Sequence, residues 1–114
     1  MTITYLDVET TFVINENRRT DPSPFNSENK LVSVQYSHDS GPIHFHWFHH
    51  KDLDEAAAEL TIGESFNLVQ DVLDKTTVLI GHNIKFDLMW LWESGFDYTG
   101  GVYDTMIGEY VLLR

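Results

Sequence analysis

The chain has no cysteine, only three prolines in 114 residues, few basic residues and no long apolar run. Without cysteine there is no disulfide framework and no thiolate metal site, and a reducing cytoplasm is a compatible setting. No stretch reaches the ~20 apolar residues of a membrane-spanning helix, and the N-terminus lacks the basic-then-apolar pattern of a secretory signal. No membrane partner is therefore expected, and the expected location is cytoplasmic. Lys and Arg number 7 against 18 Asp and Glu, for a formal net charge of −11. Such a chain repels a nucleic-acid strand unless cations or a basic neighbour intervene, which excludes unaided binding through a basic face. Part of the acid excess suits a site for cations, and the rest of an acidic surface maintains solubility. Repeats and low-complexity tracts are absent too. Aromatic residues, by contrast, make up 13% of the chain and charged residues 22%. That composition describes a globular chain with a core of its own, one domain over residues 1–114.

The patterning predicts the order βββ, α, β, α, β, α. Ile3, Tyr5, Asp7 and Glu9 alternate with Thr4, Leu6, Val8 and Thr10, giving a strand over residues 2–9 with Asp7 and Glu9 on one face. Phe12 to Lys30 is polar with two X-Pro steps and reads as an irregular loop. Leu31 to Ser37 and Ile43 to Phe48 are strands joined by the turn residues His38 to Pro42, which completes an antiparallel meander. A helix is expected over Asp52 to Leu60, and a second after Thr61, where Thr61 and Glu64 fit a capping box. Thr77 to Ile80 is a short buried strand. Ile84 to Ser94 is a helix with Ile84, Leu88, Leu91 and Trp92 on its core side, stopped by Gly95. Val102-Tyr103 forms the last strand, and Asp104 then caps a final helix with Met106, Ile107, Tyr110 and Val111. The fold class is α/β, a mixed sheet with flanking helices.

Three acids stand out. Two carboxylates on one face of a central strand are costly to bury without a partner, and a cation removes that cost. Mg²⁺ and Mn²⁺ prefer such oxygen ligands. An edge strand with solvated acids is the plainer alternative for Asp7 and Glu9 taken alone. Asn83 and Asp87 lie four apart, on one helix face, just past a predicted parallel strand, where ligand sites of open α/β sheets collect. Asn83 alone is explained as an N-cap. Asp87, set among Phe86, Leu88 and Met89, is not. A second constellation is the run His44, His46, His49 and His50, with His38 nearby. A zinc or nickel site and an exposed hairpin without metal both suit it. Trp47, Trp90 and Trp92 receive no functional assignment, since aromatics at helical spacing serve a core.

YLDVETT at Tyr5 to Thr11, GHNIKFDLMWL at Gly81 to Leu91 and VYDTMIGEYVL from Val102 together resemble the proofreading 3′–5′ exonuclease domain of family A DNA polymerases. That domain belongs to the DEDD superfamily with its RNase H-like fold. The segment DPSPFNSENKLVSV resembles the phage-type members. The resemblance implies hydrolysis of phosphodiesters at single-stranded DNA 3′ ends with two Mg²⁺ or Mn²⁺ ions. Asp7 would bridge both ions, Glu9 would hold the one that activates water, and Asp87 would bind the other. Asn83 would order the second motif near the terminal nucleotide. The backbone at Thr10 would meet the terminal sugar, Phe12 would wedge against the last base, and Asp104 is read as structural.

The third motif of that family, a Tyr or His four residues before a fourth carboxylate, has no counterpart after Asp104. Tyr110 is followed by Val111, Leu112, Leu113 and Arg114. The expectation is accordingly a C-terminally incomplete fold with weak metal binding and little turnover alone. It would be completed by a polymerase domain or a missing C-terminal segment, in cis or in trans, in a host cytoplasm if phage-encoded. A further copy could associate through the apolar last helix. Two other readings remain at this point: an RNase D-like exoribonuclease, which shares the DEDD motifs, and a non-catalytic module that binds a polymerase or nucleotide.

Overall fold

The computed structural model describes residues 1–14, 20–21, 23–25, 28–48, 61–106 and 109–112. The strands are β1 (Ile3–Thr10), β2 (Val13–Ile14), β3 (Thr20–Asp21), β4 (Leu31–His38), β5 (His44–Trp47), β6 (Val78–Gly81), β7 (Gly101–Asp104) and β8 (Glu109–Leu112); the helices are α1 (Ile62–Lys75) and α2 (Ile84–Glu93). Six strands form one mixed sheet in the order β5-β4-β1-β6-β7-β8. β4 lies antiparallel to β1 and β5 antiparallel to β4, the expected meander. β6 then runs parallel to β1, and β7 parallel to β6.

Alternation along β1 sorts its side chains. Thr4, Leu6 and Val8 are buried, whereas Tyr5, Asp7 and Glu9 are exposed on the other face. The buried face continues through Val34 and Tyr36 of β4 and Leu79 of β6. Against it pack Val69 and Leu73 of α1 and Ile84, Leu88 and Leu91 of α2. α1 begins at the predicted capping box. Thr61 Oγ1 accepts the Glu64 N–H at 3.1 Å, and Glu64 Oε1 accepts the Thr61 N–H at 3.3 Å. Thr61→Ala should cost about 1 kcal/mol, read as a lower urea midpoint at unchanged slope.

Four expectations need correcting. The final helix is strand β8, antiparallel to β7 with Tyr103 opposite Tyr110. The apolar run Tyr110 to Leu112 is too short for its period to distinguish helix from strand, and the open edge of β7 offers backbone partners that a helix would leave unmet. With that helix gone, the expected route to self-association loses its basis. The Phe12–Lys30 segment is not wholly irregular, since β2 and β3 pair within it. On α2 the buried tryptophan is Trp90, 3% exposed, while Trp92 is 46% exposed and donates its indole N–H to the Tyr98 carbonyl at 3.2 Å. The reason is that α2 packs on two sides. One side meets the sheet, and Trp90 turns toward the cluster of Phe48, Phe66 and Phe96. The helix expected over Asp52 to Leu60 lies outside the described residues, as do His49 and His50.

Candidate active site

β6 pairs with β1 only as far as Tyr5, opposite Ile80. Beyond that point β1 runs on without β6 on this side, and Asp7 and Glu9 lie on that unpaired stretch. A shift in register between Glu9 and Thr10 bends the strand there, a device that re-aims side chains next to sites. Asp7 is exposed and its Oδ2 accepts from Gln35 Nε2 at 3.5 Å. Gln35 is in turn fixed by Ser33 Oγ, which donates to its Oε1 at 2.8 Å. A groove of about 320 Å³ runs past Asp7 and is lined by Tyr5, Gln35, Ile43, His82 and Thr105.

Asp87 arrives from the other direction. The chain leaves β6 at Gly81, passes His82 and Asn83, and enters α2, with Asp87 in its first turn. A methyl group at Gly81 would stand 2.9 Å from the Leu6 carbonyl oxygen and 3.5 Å from Asp87 Oδ2. The turn therefore lies directly on β1, and Asp87 lies beside the turn. Asp87 is 3% exposed, and its Oδ2 is buried without a hydrogen-bond partner. Burial, then the fields of Asp7, Asp104 and Glu9, push its carboxyl up to about 8. A carboxylate in that position carries charge at neutral pH only with a cation beside it.

The expected residues thus divide. Asp7 and Glu9 are brought near enough to Asp87 for their charges to act on its carboxyl. Among the described residues, however, no three acid or imidazole groups converge closely enough to hold a metal ion. The oxygen donors suit Mg²⁺ or Mn²⁺, and the orphaned, buried Asp87 oxygen is the kind of acceptor a cation satisfies. Thr10 is half-buried, and Phe12 projects into solvent at 58% exposure. Asn83 occupies the N-cap position of α2, but in a left-handed conformation (φ 58°, ψ 51°) and with no capping bond from its side chain, so its expected capping role is corrected. Its own N–H instead donates to Asp104 Oδ1 at 2.9 Å. Asp104 caps no helix. It sits at the end of β7, opposite Gly81, and is 5% exposed.

Among the described residues, no group of histidines is placed to hold a metal ion. His38, His44 and His46 stack about the Tyr36 ring, with centroid separations from it of 6.1, 5.1 and 5.5 Å. Tyr36 Oη and His46 Nε2 share a hydrogen bond of 3.1 Å. Burial, then the charge of His44, lowers the His46 pKa. Within this stack Tyr36 and His46 are buried, His38 is half-buried and His44 is exposed.

Sequence reasoning passed over Gln35, Gly81 and Thr105. The alternation of β4 places Gln35 on the face of Asp7 once their register is known. A glycine between a strand and a helix start signals close backbone approach. For Thr105 there was no signal, since it acts through a neighbouring strand.

Residues 19–113 match a family model described as 3′-5′ exonuclease, of the DNA polymerase A type. The matched span takes in Asn83, Asp87 and Asp104 and begins after Asp7 and Glu9. No curated protein matches the chain. Among solved structures, the family B DNA polymerase from the hyperthermophilic archaeon Pyrobaculum calidifontis is similar with a TM-score of 0.56 at 14% sequence identity, over 97% of this chain and 14% of that one. At that identity the likeness is one of fold, a mixed sheet with flanking helices. The present chain spans only that small part of the polymerase's length.

Proposed function

The chain belongs to the 3′-5′ exonuclease family of the DNA polymerase A type, and we propose that Asp7, Glu9 and Asp87 are its cation-holding carboxylates, working on the 3′ ends of single-stranded DNA. The observation that supports this best is the Asp87 carboxyl, buried, without a hydrogen-bond partner at Oδ2 and raised to about 8 beside two further acids on β1. Asp104 Oδ2 is buried without a partner too, but it is the Asp87 carboxyl that is raised by its surroundings and feels both acids of β1, which is where a cation would complete it. Divalent ions there would lower the pKa of an attacking water and stabilise the leaving 3′ oxygen.

The remaining roles belong to the chain itself. Gln35 steadies Asp7 from the neighbouring strand. The packed turn at Gly81 holds Asp87 over the end of β1. Phe12, free of the core, offers a face for the terminal base, and such stacking is worth about 1–3 kcal/mol. Asn83 and the backbone at Thr10 border the place of the last nucleotide. A Tyr followed four residues later by an acid has no counterpart in residues 105–114. In this proposal a polymerase domain or downstream segment supplies it in cis or in trans, and the Asp21–Val34 segment favours a phage-type polymerase.

The test is cation binding to the folded chain. Mn²⁺ or Mg²⁺ at pH 8 should raise the melting temperature by several degrees, since saturation at 100 times Kd contributes about 2.7 kcal/mol. Chelation should reverse the rise, and Asp7→Asn should abolish it. A parent protein that melts identically with and without millimolar Mn²⁺ would remove the cation-site reading and leave a non-catalytic module.

A further inference from the structure

The site depends on a turn that the helix it starts does not hold by itself. Asn83 adopts the left-handed conformation, which asparagine tolerates better than most residues with a Cβ, but its side chain makes no capping bond. What holds the turn comes from the adjacent strand. Asp104 Oδ1 accepts the N–H of Asn83 and that of Met106, each at 2.9 Å. Thr105 donates its N–H to the Gly81 carbonyl at 2.9 Å, and its hydroxyl reaches the same carbonyl at 3.3 Å and His82 Nδ1 at 3.2 Å. One carboxylate thus ties the start of α2 to the end of β7, at the N-terminal pole of the helix where an anion is favoured. Helix rigidity carries this constraint one turn onward to Asp87.

We infer that Asp104 is a positioning residue: by fixing the Asn83 turn it sets where the Asp87 carboxylate stands over the end of β1. The inference rests on the reading of Asp87 as a cation ligand. The backbone bonds of Asp104 need one side-chain oxygen, not a charge. Asparagine can supply that oxygen and alanine cannot.

Three proteins decide it: the parent, Asp104→Asn and Asp104→Ala, each confirmed as folded by circular dichroism. The first readout is Mn²⁺ affinity by calorimetry. Partners that orient a metal ligand are worth 10–100-fold in affinity, so Asp104→Ala should lose about tenfold or more while Asp104→Asn stays within about threefold of the parent. The second readout needs no metal. Hydrogen exchange at the Asn83 amide should accelerate in Asp104→Ala only, and the nuclear Overhauser contact between the Asp87 Hβ and Gly81 Hα protons should weaken with it. A folded Asp104→Ala that keeps the parent's Mn²⁺ affinity, or keeps both the Asn83 protection and the Asp87–Gly81 contact, overturns the positioning role. Equal losses in Asp104→Asn and Asp104→Ala also overturn it, since charge would then be what matters. If the parent binds no Mn²⁺, the cation reading of Asp87 fails, and the exchange and Overhauser readouts still decide whether Asp104 places that side chain.

Discussion

At pH 8 and without divalent cations, Asp87→Asn should be more stable than the parent by about 2–3 kcal/mol, a rise on the order of 10 °C in melting temperature. The native carboxyl is raised from 3.8 to about 8, first by burial and then by Asp7, Asp104 and Glu9. A raised pKa means that the folded state binds a proton the unfolded state has released. Between about pH 4 and 8 the parent's stability therefore falls as pH rises, and below pH 4 the two states hold the proton alike. Each unit of displacement is worth about 1.4 kcal/mol, so the full displacement sets a ceiling on the order of 5 kcal/mol, which relaxation around the site reduces. Asparagine keeps the shape, removes the charge and can donate to the neighbouring acids. Its advantage should be absent near pH 4, grow through neutrality and level off above pH 8, as read from urea midpoints across that range. A flat difference between the two proteins would show that Asp87 is not held neutral by the fold. Cations should narrow the gap from the other side, by stabilising the parent and not the variant.

Gly81→Ala should destabilise the chain by about 2 kcal/mol and weaken Mn²⁺ binding by about tenfold. The added methyl would lie 2.6 Å from Ile84 Cδ1 and 2.9 Å from the Leu6 carbonyl oxygen. Ile84 is a buried side chain with little room to yield, and the Leu6 carbonyl belongs to a central strand that cannot move. Overpacking of this kind costs about 1–3 kcal/mol. The turn must lift off β1, and Asp87 lifts with it. Gly63→Ala is the matching control, because its methyl would meet only Thr61 Oγ1, at 3.9 Å. There the helix propensity of alanine should add up to about 1 kcal/mol. Paired urea melts and calorimetric titrations of the two variants read both effects. Equal behaviour of the two variants would refute the close packing of the turn.

Much of the sheet was legible because it rests on local pattern. The alternation of β1, the β-branched run of β4 and the turn at His38 to Pro42 specify strands and a hairpin without reference to distant residues. The capping box of Thr61 and Glu64 likewise involves four consecutive positions. The reading failed where a neighbour in space decides. Tyr110, Val111 and Leu112 would suit either helix or strand, and the bare edge of β7 makes residues 109–112 a strand. Trp90 and Trp92 are equivalent by composition, and the aromatic cluster of Phe48, Phe66 and Phe96 selects Trp90.

The sequence by itself determined which acids are exceptional: Asp7 and Glu9 by their shared face on a central strand, and Asp87 by its place among apolar residues at a helix start. Tertiary structure decided what each of them experiences. Asp87 is buried and held near neutrality because β6 ends early, α2 folds back over β1, and the fields of Asp7, Asp104 and Glu9 meet there. Asp104 reads in sequence as a cap for a helix that does not form, and in space it holds the turn that starts the preceding helix, 21 residues earlier in the chain. Side-chain identity and period are properties of neighbours in sequence. Charge coupling, burial and hydrogen bonding across strands are properties of neighbours in space, and only folding brings those together.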